Sequence, residues 1–354
     1  MMNRLEESLN KVELIRSELK NTKYDGVIIK KQPDFSWITS GGRGFIGLAS
    51  ELACASVVVT KDGIYLAANS IEAPRLLAEE LPERFAEAVI LPWEQDSGLE
   101  AQLRQDLGNL TDDIEMDSWF RKERVCLTDN EIKRFEKAGA EVNRILENVC
   151  LEIQPGMTEF QIAGMISGGL WGIGIEPITV LIAADERSEQ VRHYVPTSKV
   201  IQKGVICSLC ARSSGLVVSA TRIVSFSNDF AENYEKLLQV EAAAFKATVP
   251  GKEHREIFSK IRNAYLKNGM NREWEHHHQG GMTGYLAREV RVDSNSLCVV
   301  KNNQAYAWNP SASGAKCEDT ILVTSSGIKV LSESSPNWPS VEIENIRRPL
   351  ILRK

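Results

Sequence analysis

The sequence lacks long apolar segments. None of its 354 residues belongs to an uninterrupted run of ~18 apolar side chains, the length needed to cross a bilayer as a helix. The first 20 residues, MMNRLEESLNKVELIRSELK, have the pattern of a charged amphipathic helix and lack the apolar core of a signal peptide. These absences predict a cytoplasmic protein with no membrane partner.

The sequence also lacks an excess of basic charge and an even, regularly spaced set of cysteines. The chain carries 42 Lys and Arg against 48 Asp and Glu, a net charge of −6, and no long basic run, which argues against a nucleic-acid partner. Its 7 cysteines are odd in number and scattered, as expected for reduced thiols rather than a disulfide framework. Cys207 and Cys210 form a CxxC inside an apolar run typical of a strand, which favours buried thiols over a redox or metal site.

The pattern of apolar residues predicts two domains, 1–125 and 126–354. The first alternates helix and strand signals, which indicates an α/β domain with a mixed sheet. A helix N-cap signal at 127–131 marks the boundary. Within the first domain we predict a helix over 4–21, a strand over 25–29, a hairpin of 53–60 and 63–67, and a helix over 71–87.

The second domain contains a repeated pattern. Pro155-Gly156 and Pro250-Gly251 each separate two helical stretches, about 95 residues apart, and strand-like runs follow each pair. This predicts an α+β domain that arose by internal duplication, with a pocket shared by its two halves.

Histidine is rare, with 5 residues in the chain, yet three are consecutive at 276–278. A His-rich tract can bind metal. If the tract is a strand, its neighbouring side chains point to opposite faces, so at most two could share one site. The alternative is a polar strand edge, although the glycines at 280 and 281 indicate close approach to a ligand or another backbone.

Several isolated polar residues have both a functional and a structural interpretation. His193 could act as an acid–base group or as a structural hydrogen-bonding residue. Glu318 precedes an alternating strand, where a charge at a strand edge is ordinary. Arg288 and Glu289 could form an ion pair on another strand, and Arg222 could form a structural salt bridge.

Seven segments carry a family resemblance through their sequence and their order. They are WITSG at 37–41, IQPGMTE at 153–159, RHYVPT at 192–197, GLVVSATR at 215–222, HHQGGMTG at 277–284, WNP at 308–310 and GAKCEDT at 314–320. In this order they resemble the pita-bread family of creatinase, aminopeptidase P, prolidase and methionine aminopeptidase, and most of all its creatinase/prolidase branch. The resemblance covers nearly the whole chain. It implies a creatinase-like α/β N-terminal domain, an α+β pita-bread C-terminal domain with a pseudo-twofold repeat, and a homodimer.

The resemblance also implies where the family's metal ligands would fall. Active peptidases of this family bind two divalent ions through two Asp, one His and two Glu. Those positions carry Ser208 (or Cys210, by local motif), Ser219, Gly281, Asn309 and Glu318. Another family histidine falls on Arg288, with Glu289 in the following acidic position. Because one carboxylate cannot balance four positive charges and serine and asparagine are weak ligands, we expect no ordinary dinuclear site and no cofactor.

Three functional hypotheses follow from the resemblance. The first is a metal-independent, creatinase-like hydrolase of a C–N bond in a small molecule or short peptide. In it His193 is the acid–base group, His277 polarises a carbonyl, and Arg288 anchors a carboxylate. Glu318 or Glu289 orients the base or stabilises a cationic group of the substrate. The second is a non-catalytic protein that binds a ligand or partner, and the third is a metal-dependent Xaa-Pro peptidase. The remaining expected substrate-binding residues are His278, Asn309, Arg222 and Trp308.

Overall fold

The computed structural model describes residues 3–354 and divides into two compact units. The first comprises the chain up to Arg124 together with Asp129–Glu131 and Ser214–Leu216. The second comprises Val125–Thr128, Ile132–Ser213 and Val217–Lys354. That 1–125 and 126–354 are separate domains stays a prediction.

The first unit contains a five-stranded mixed sheet in the order β4-β3-β2-β1-β5, as the alternation of helix and strand signals predicted. Strands β1, β2 and β3 are antiparallel neighbours, whereas β4 and β5 pair in parallel at the two edges. Its elements are α1 (Arg4–Leu19), β1 (Gly26–Lys31), α2 (Gln32–Ile38), β2 (Leu52–Thr60), β3 (Ile64–Asn69), α3 (Ala73–Arg75), β4 (Glu87–Leu91), α4 (Leu99–Leu107), β5 (Leu110–Asp112) and α5 (Asp117–Arg124).

One predicted helix of this unit is wrong. Residues 71–87 contain only the short α3 and one π-helical turn, Leu76–Glu80, before the chain becomes extended at Leu81. The physical reason is Pro82, because a residue that precedes proline is pushed out of the helical region.

The second unit is built from four helices flanking two larger sheets, ordered β10-β9-β11-β14-β15 and β18-β8-β7-β6, with a short helix α8. Among residues 3–354, no helix combines the length and the hydropathy that crossing a membrane requires. The helices of this unit are α6 (Asp129–Glu152), α7 (Glu159–Trp171), α8 (Arg187–Gln190), α9 (Tyr234–Ala247) and α10 (His254–Lys267). The strands are β6 (Glu176–Ala184), β7 (Gly204–Ser213), β8 (Leu216–Ser225), β9 (Gly280–Thr283), β10 (Val290–Arg291), β11 (Ala305–Trp308), β12 (Ser311–Ala312), β13 (Ala315–Lys316), β14 (Asp319–Thr324), β15 (Gly327–Val330), β16 (Ser340–Ile343), β17 (Ile346–Pro349) and β18 (Leu352–Arg353).

The internal repeat is visible in the connections between α6 and α7 and between α9 and α10. Gly156 and Gly251 both have positive φ, +94° and +89°, which permits the sharp turn after each proline. A capping box follows each turn, at Thr158 and at Glu253. Thr158 forms an isolated β-bridge with Val200, and Glu253 forms the equivalent isolated bridge with Val299. The predicted repeat is therefore present in the structure, down to the capping box and the bridge that follow each turn.

The sheets of the second unit bring distant segments to one region. Ser208 lies on β7 and Ser219 on β8, while Gly281 lies on β9. Asn309 immediately follows β11, and Glu318 immediately precedes β14. A buried apolar cluster packs behind these strands and includes aromatic side chains of α9, α10 and β11. The strands thus position five segments that are up to 110 residues apart in the chain.

Candidate functional site

A cavity of about 430 Å³ lies within the second unit. Seven of the residues singled out from the sequence line it, and they come from both halves of the repeat. Its wall contains Thr179, Leu181, His193, Ser208, Leu209, Cys210, His278, Leu286, Ala287, Arg288, Arg291, Asn309, Lys316 and Glu318. A cavity of this size suits a small molecule or a short peptide.

The one carboxylate in the cavity wall is held by two cations. Glu318 is 3% exposed; its Oε1 accepts a hydrogen bond from Arg288 Nη2 at 2.7 Å, and its Oε2 lies 2.9 Å from Lys316 Nζ. Burial alone would raise the pKa of this carboxyl, but the two cations outweigh that effect and hold its pKa at about 2. Glu318 is therefore ionised at neutral pH and already paired.

Hydroxyl groups complete this buried network. Ser208 Oγ donates to Glu318 Oε2 at 3.1 Å and accepts from Lys316 Nζ at 2.9 Å. Ser219 Oγ accepts from Arg288 Nη1 at 3.3 Å and lies 3.2 Å from Cys210 Sγ. Two of the positions at which the family would supply carboxylates thus support cationic side chains instead.

The residues at these positions do not fit a dinuclear metal centre. Glu318 is the only carboxylate among them, and both of its oxygens are bound to cations. No histidine could occupy position 281 in this backbone, because Gly281 has a φ of +149° and a Cβ there would lie 2.1 Å from Val290 O. Two divalent ions beside Arg288 and Lys316 would add four positive charges to a site that already has an excess of cations.

Three histidines form a separate cluster at the same cavity. His193 Nε2 lies 3.2 Å from His277 Nε2, and the rings of His277 and His278 stack with centroids 4.3 Å apart. Their candidate ligand atoms all lie within 4.8 Å of one another. The expectation that the histidine run forms a strand was wrong: residues 276–278 lie in irregular chain between the 3₁₀ turn Glu273–Glu275 and β9, which begins at Gly280. Neighbouring histidines can therefore face the same region.

All three imidazoles are neutral at neutral pH. Burial, reinforced by the charge of Lys316, lowers the pKa of His277 to about 2. Burial and the charge of Arg288 lower the pKa of His278 to about 4. The pKa of His193 is also lowered, first by partial burial and then by Lys316. Each ring consequently offers one lone pair and one N–H.

Polar groups around the cavity still have unused hydrogen-bonding capacity. Within residues 3–354, Asn309 Oδ1, Arg288 Nε and His278 Nδ1 are buried without a hydrogen-bond partner. Asn309 is only 3% exposed. Buried polar atoms normally have partners, so these atoms mark where a ligand or water would bind. The guanidinium of Arg291, in the cavity wall, likewise has no hydrogen bond or ion pair to any residue described.

Two residues expected to contact substrate lie away from the cavity. Arg222 is fully buried and donates to Asp319 Oδ1 at 3.1 Å and to Asn143 Oδ1 at 2.5 Å. Trp308 is also fully buried, and its Nε1 donates to Thr248 Oγ1 at 3.0 Å. Their side chains are committed to the core, so the expectation of a ligand contact is corrected.

The groups expected to orient the base are also committed elsewhere. Glu289 is buried and its Oε1 accepts the backbone N–H groups of Tyr285 and Leu286, both at 3.1 Å. It stabilises its own turn and does not line the cavity. The hydrogen bonds of Glu318 go to cations and hydroxyls, and none goes to His193 among the described residues. Neither Glu289 nor Glu318 therefore orients the imidazole of His193.

Sequence reasoning missed two cations of the cavity wall, Lys316 and Arg291. A signal for Lys316 was present, because it precedes Glu318 by two residues and side chains two apart in extended backbone share a face. Arg291 follows Arg288 by three positions across a turn into β10, and no local pattern indicates that both reach the same cavity.

The second unit has a paired helix–turn–helix repeat and a cavity, and the first unit has a mixed α/β sheet; creatinase/prolidase proteins combine these two kinds of domain. Residues 133–325 match the model of metallopeptidase family M24, more than half of the chain, and the chain belongs to this family. The resemblance inferred from the ordered motifs, and the fold class it implied, are confirmed.

Individual relatives agree with this assignment. A curated Xaa-Pro dipeptidase of Pyrococcus horikoshii is 25% identical over 350 residues, which cover 92% of this chain and 97% of that protein. The crystal structure of the prolidase from Pyrococcus horikoshii OT3 is similar with a TM-score of 0.75 and 22% identity, covering 93% of this chain and 99% of that one. The N-terminal domain of FACT complex subunit SPT16 from Cicer arietinum shares the fold with a TM-score of 0.70 and 13% identity, covering 94% and 97%. The fold therefore occurs both in peptidases and in a subunit of a larger complex.

Proposed function

We propose that the protein hydrolyses a C–N bond in a small carboxylate-bearing molecule or short peptide without a metal, using His193 and His277. The observation that carries this proposal is the 3.2 Å contact between their Nε2 atoms at the cavity. A neutral imidazole within reach of a bound molecule is a suitable general base at neutral pH. The curated Xaa-Pro dipeptidase relative supports a reaction at a C–N bond.

The two histidines have different exposure, which suggests different roles. His193 is exposed, so it can take a proton from a water molecule that attacks the substrate carbon and return that proton to the leaving nitrogen. His277 is 8% exposed, and its neutral ring carries a proton on one of its two nitrogens. That N–H group acts as a hydrogen-bond donor. In the free protein one Nε2 donates to the other; with substrate bound, His277 donates to the carbonyl oxygen instead.

The carboxylate anchor in this proposal is Arg291 rather than Arg288. Arg288 is already bound to Glu318 and Ser219, whereas Arg291 has no partner among the described residues. A guanidinium offers paired donors that match a carboxylate. The wall carries three cations, Arg288, Arg291 and Lys316, against the single Glu318, which favours an anionic ligand.

The test is a turnover screen with the full chain after removal of metals by a chelator. Small amides, guanidino compounds and dipeptides are the substrates, and His193→Ala is compared with His276→Ala, an exposed neighbour outside the cluster. We expect turnover without metal and a loss of ~10²-fold or more in His193→Ala only. Turnover that appears only with added Mn²⁺ would instead support the metal-dependent Xaa-Pro peptidase.

A non-catalytic ligand-binding protein is the second candidate. It is favoured by the locked state of Glu318, whose oxygens are both bound to cations. In that case carboxylates raise the melting temperature without being consumed, and Arg291→Ala abolishes the shift.

From the family resemblance we also propose a cytoplasmic homodimer. Sedimentation equilibrium tests this assembly, and a mass of one chain, 39.5 kDa, contradicts it.

A further inference from the structure

We propose that His193, His277 and His278 together bind one divalent transition-metal ion at the edge of the cavity. This site is distinct from the dinuclear site of the family, because none of the positions that the resemblance assigns to metal ligands contributes to it. The ion would be of the kind that prefers nitrogen donors, such as Zn²⁺ or Cu²⁺.

The spacing of the nitrogens supports three ligands around one ion. With Zn–N bonds of about 2.0–2.1 Å, two ligands of a tetrahedral ion lie about 3.3 Å apart. His193 Nε2 and His277 Nε2 are 3.2 Å apart, and the candidate ligand atoms of all three residues lie within 4.8 Å. Three protein nitrogens leave a fourth position open to water or a ligand from the cavity.

The hydrogen bonds of the cluster are compatible with an ion. Each imidazole has two ring nitrogens, and the ion needs one from each residue. The buried Nδ1 atoms of His277 and His278 have no hydrogen-bond partner among residues 3–354. An ion bound at the Nε2 atoms of His193 and His277 replaces the 3.2 Å contact between these two atoms.

The surrounding charges limit which ions can bind. Lys316, Arg288 and Arg291 repel any cation, and Glu318 compensates only part of their charge. An ion held mainly by electrostatic attraction to oxygen ligands, such as Mg²⁺ or Mn²⁺, is therefore not expected to bind. The affinity of the three imidazoles should decrease from Cu²⁺ to Zn²⁺ to Mn²⁺.

Metal binding has a consequence that rests on the proposed function. An ion bound to His193 and His277 occupies the lone pairs that proton transfer requires. Zn²⁺ should then inhibit the metal-independent hydrolase, and a chelator should restore its activity. The binding itself needs no turnover to be measured, so failure of the two proposals can be told apart.

The experiment is a calorimetric titration of the tag-free, chelator-treated full chain with Zn²⁺, Cu²⁺ and Mn²⁺. His278→Ala and His193→Ala remove one ligand each, and His276→Ala is the matched control, because it lies next to the cluster without belonging to it. Circular dichroism verifies that each variant is folded.

We expect one Zn²⁺ or Cu²⁺ per chain, with affinity at least about tenfold weaker in His278→Ala and in His193→Ala and unchanged in His276→Ala. Absence of Zn²⁺ and Cu²⁺ binding at about 1 mM would overturn the proposal. An equal loss in His276→Ala, or no loss in His278→Ala, would also overturn it. If Zn²⁺ binds but turnover is unchanged in His193→Ala, the metal site is supported and the proposed role of His193 in hydrolysis is refuted.

Discussion

Glu318→Gln is the substitution that most directly tests the charge arrangement of the cavity. The wild-type carboxylate neutralises Arg288 and Lys316, and all three side chains are at most 9% exposed. Glutamine keeps the shape and one oxygen acceptor but removes the negative charge. Two cations are then left in a buried region without an anion, which is a costly arrangement.

The magnitude follows from the burial of the network. Removing one partner of a buried ion pair costs about 3–5 kcal/mol, and a loss of 1 kcal/mol lowers Tm by about 2–4 °C in a domain of this size. We therefore expect Glu318→Gln to lower the free energy of unfolding by ~3–5 kcal/mol and Tm by roughly 10 °C.

Urea unfolding followed by tryptophan fluorescence measures this change. Glu344→Gln is the matched control, because Glu344 pairs with Lys246 at 2.6 Å but both side chains are more than half exposed. That control should cost less than ~1 kcal/mol. A second variant, Glu318→Gln with Lys316→Met, should regain part of the loss, since one unpaired cation is removed. A loss below ~1 kcal/mol in Glu318→Gln, or one equal to the control, would refute the view that Glu318 is the necessary counter-charge.

Two further predictions concern stability. Gly281→Ala should destabilise the protein by ~1–3 kcal/mol or prevent folding, because a Cβ at this position would lie 2.1 Å from Val290 O. Thermal melting measures the loss of stability, and an unchanged Tm would contradict the backbone conformation at Gly281. His254 is fully buried beside Tyr306 OH, and burial lowers its pKa to about 4 from 6.5. The folded state thus binds fewer protons than the unfolded state between these values, so stability falls by up to ~3 kcal/mol as pH decreases from 6.5 to 4. Urea titrations at several pH values should show a smaller fall in His254→Gln, and equal slopes in both proteins would contradict this origin.

Much of the fold could be predicted from the sequence because its signals are local. The Pro-Gly turns at 155–156 and 250–251 and the capping residues at 158 and 253 act on neighbouring residues, and the structure retains both. The order of the motifs was sufficient to recognise the family. The expectation that the family's metal ligands are missing also comes from the sequence alone, because a ligand's chemistry belongs to the residue type at one position.

The composition of the candidate site depended on tertiary structure. His193 and His277 are 84 residues apart, and their contact results from the packing of separate loops. The same packing directs Arg288 towards Glu318 and leaves Arg291 at the cavity. Sequence patterns report which face of an element is apolar, but they do not report which polar partner a side chain finds.

Arg222 and Trp308 show that a position in a motif does not reveal where a side chain points. Both lie within recognised motifs, yet their side chains turn into the core, where Arg222 binds Asp319 and Trp308 binds Thr248. Residue identity and local backbone preference were sufficient to predict the family and the repeat, and they also give the expectation that the ordinary dinuclear metal site is absent. The pairing of charges and the meeting of the histidines could not be predicted in this way, because those contacts depend on distances between segments that the chain brings together by folding.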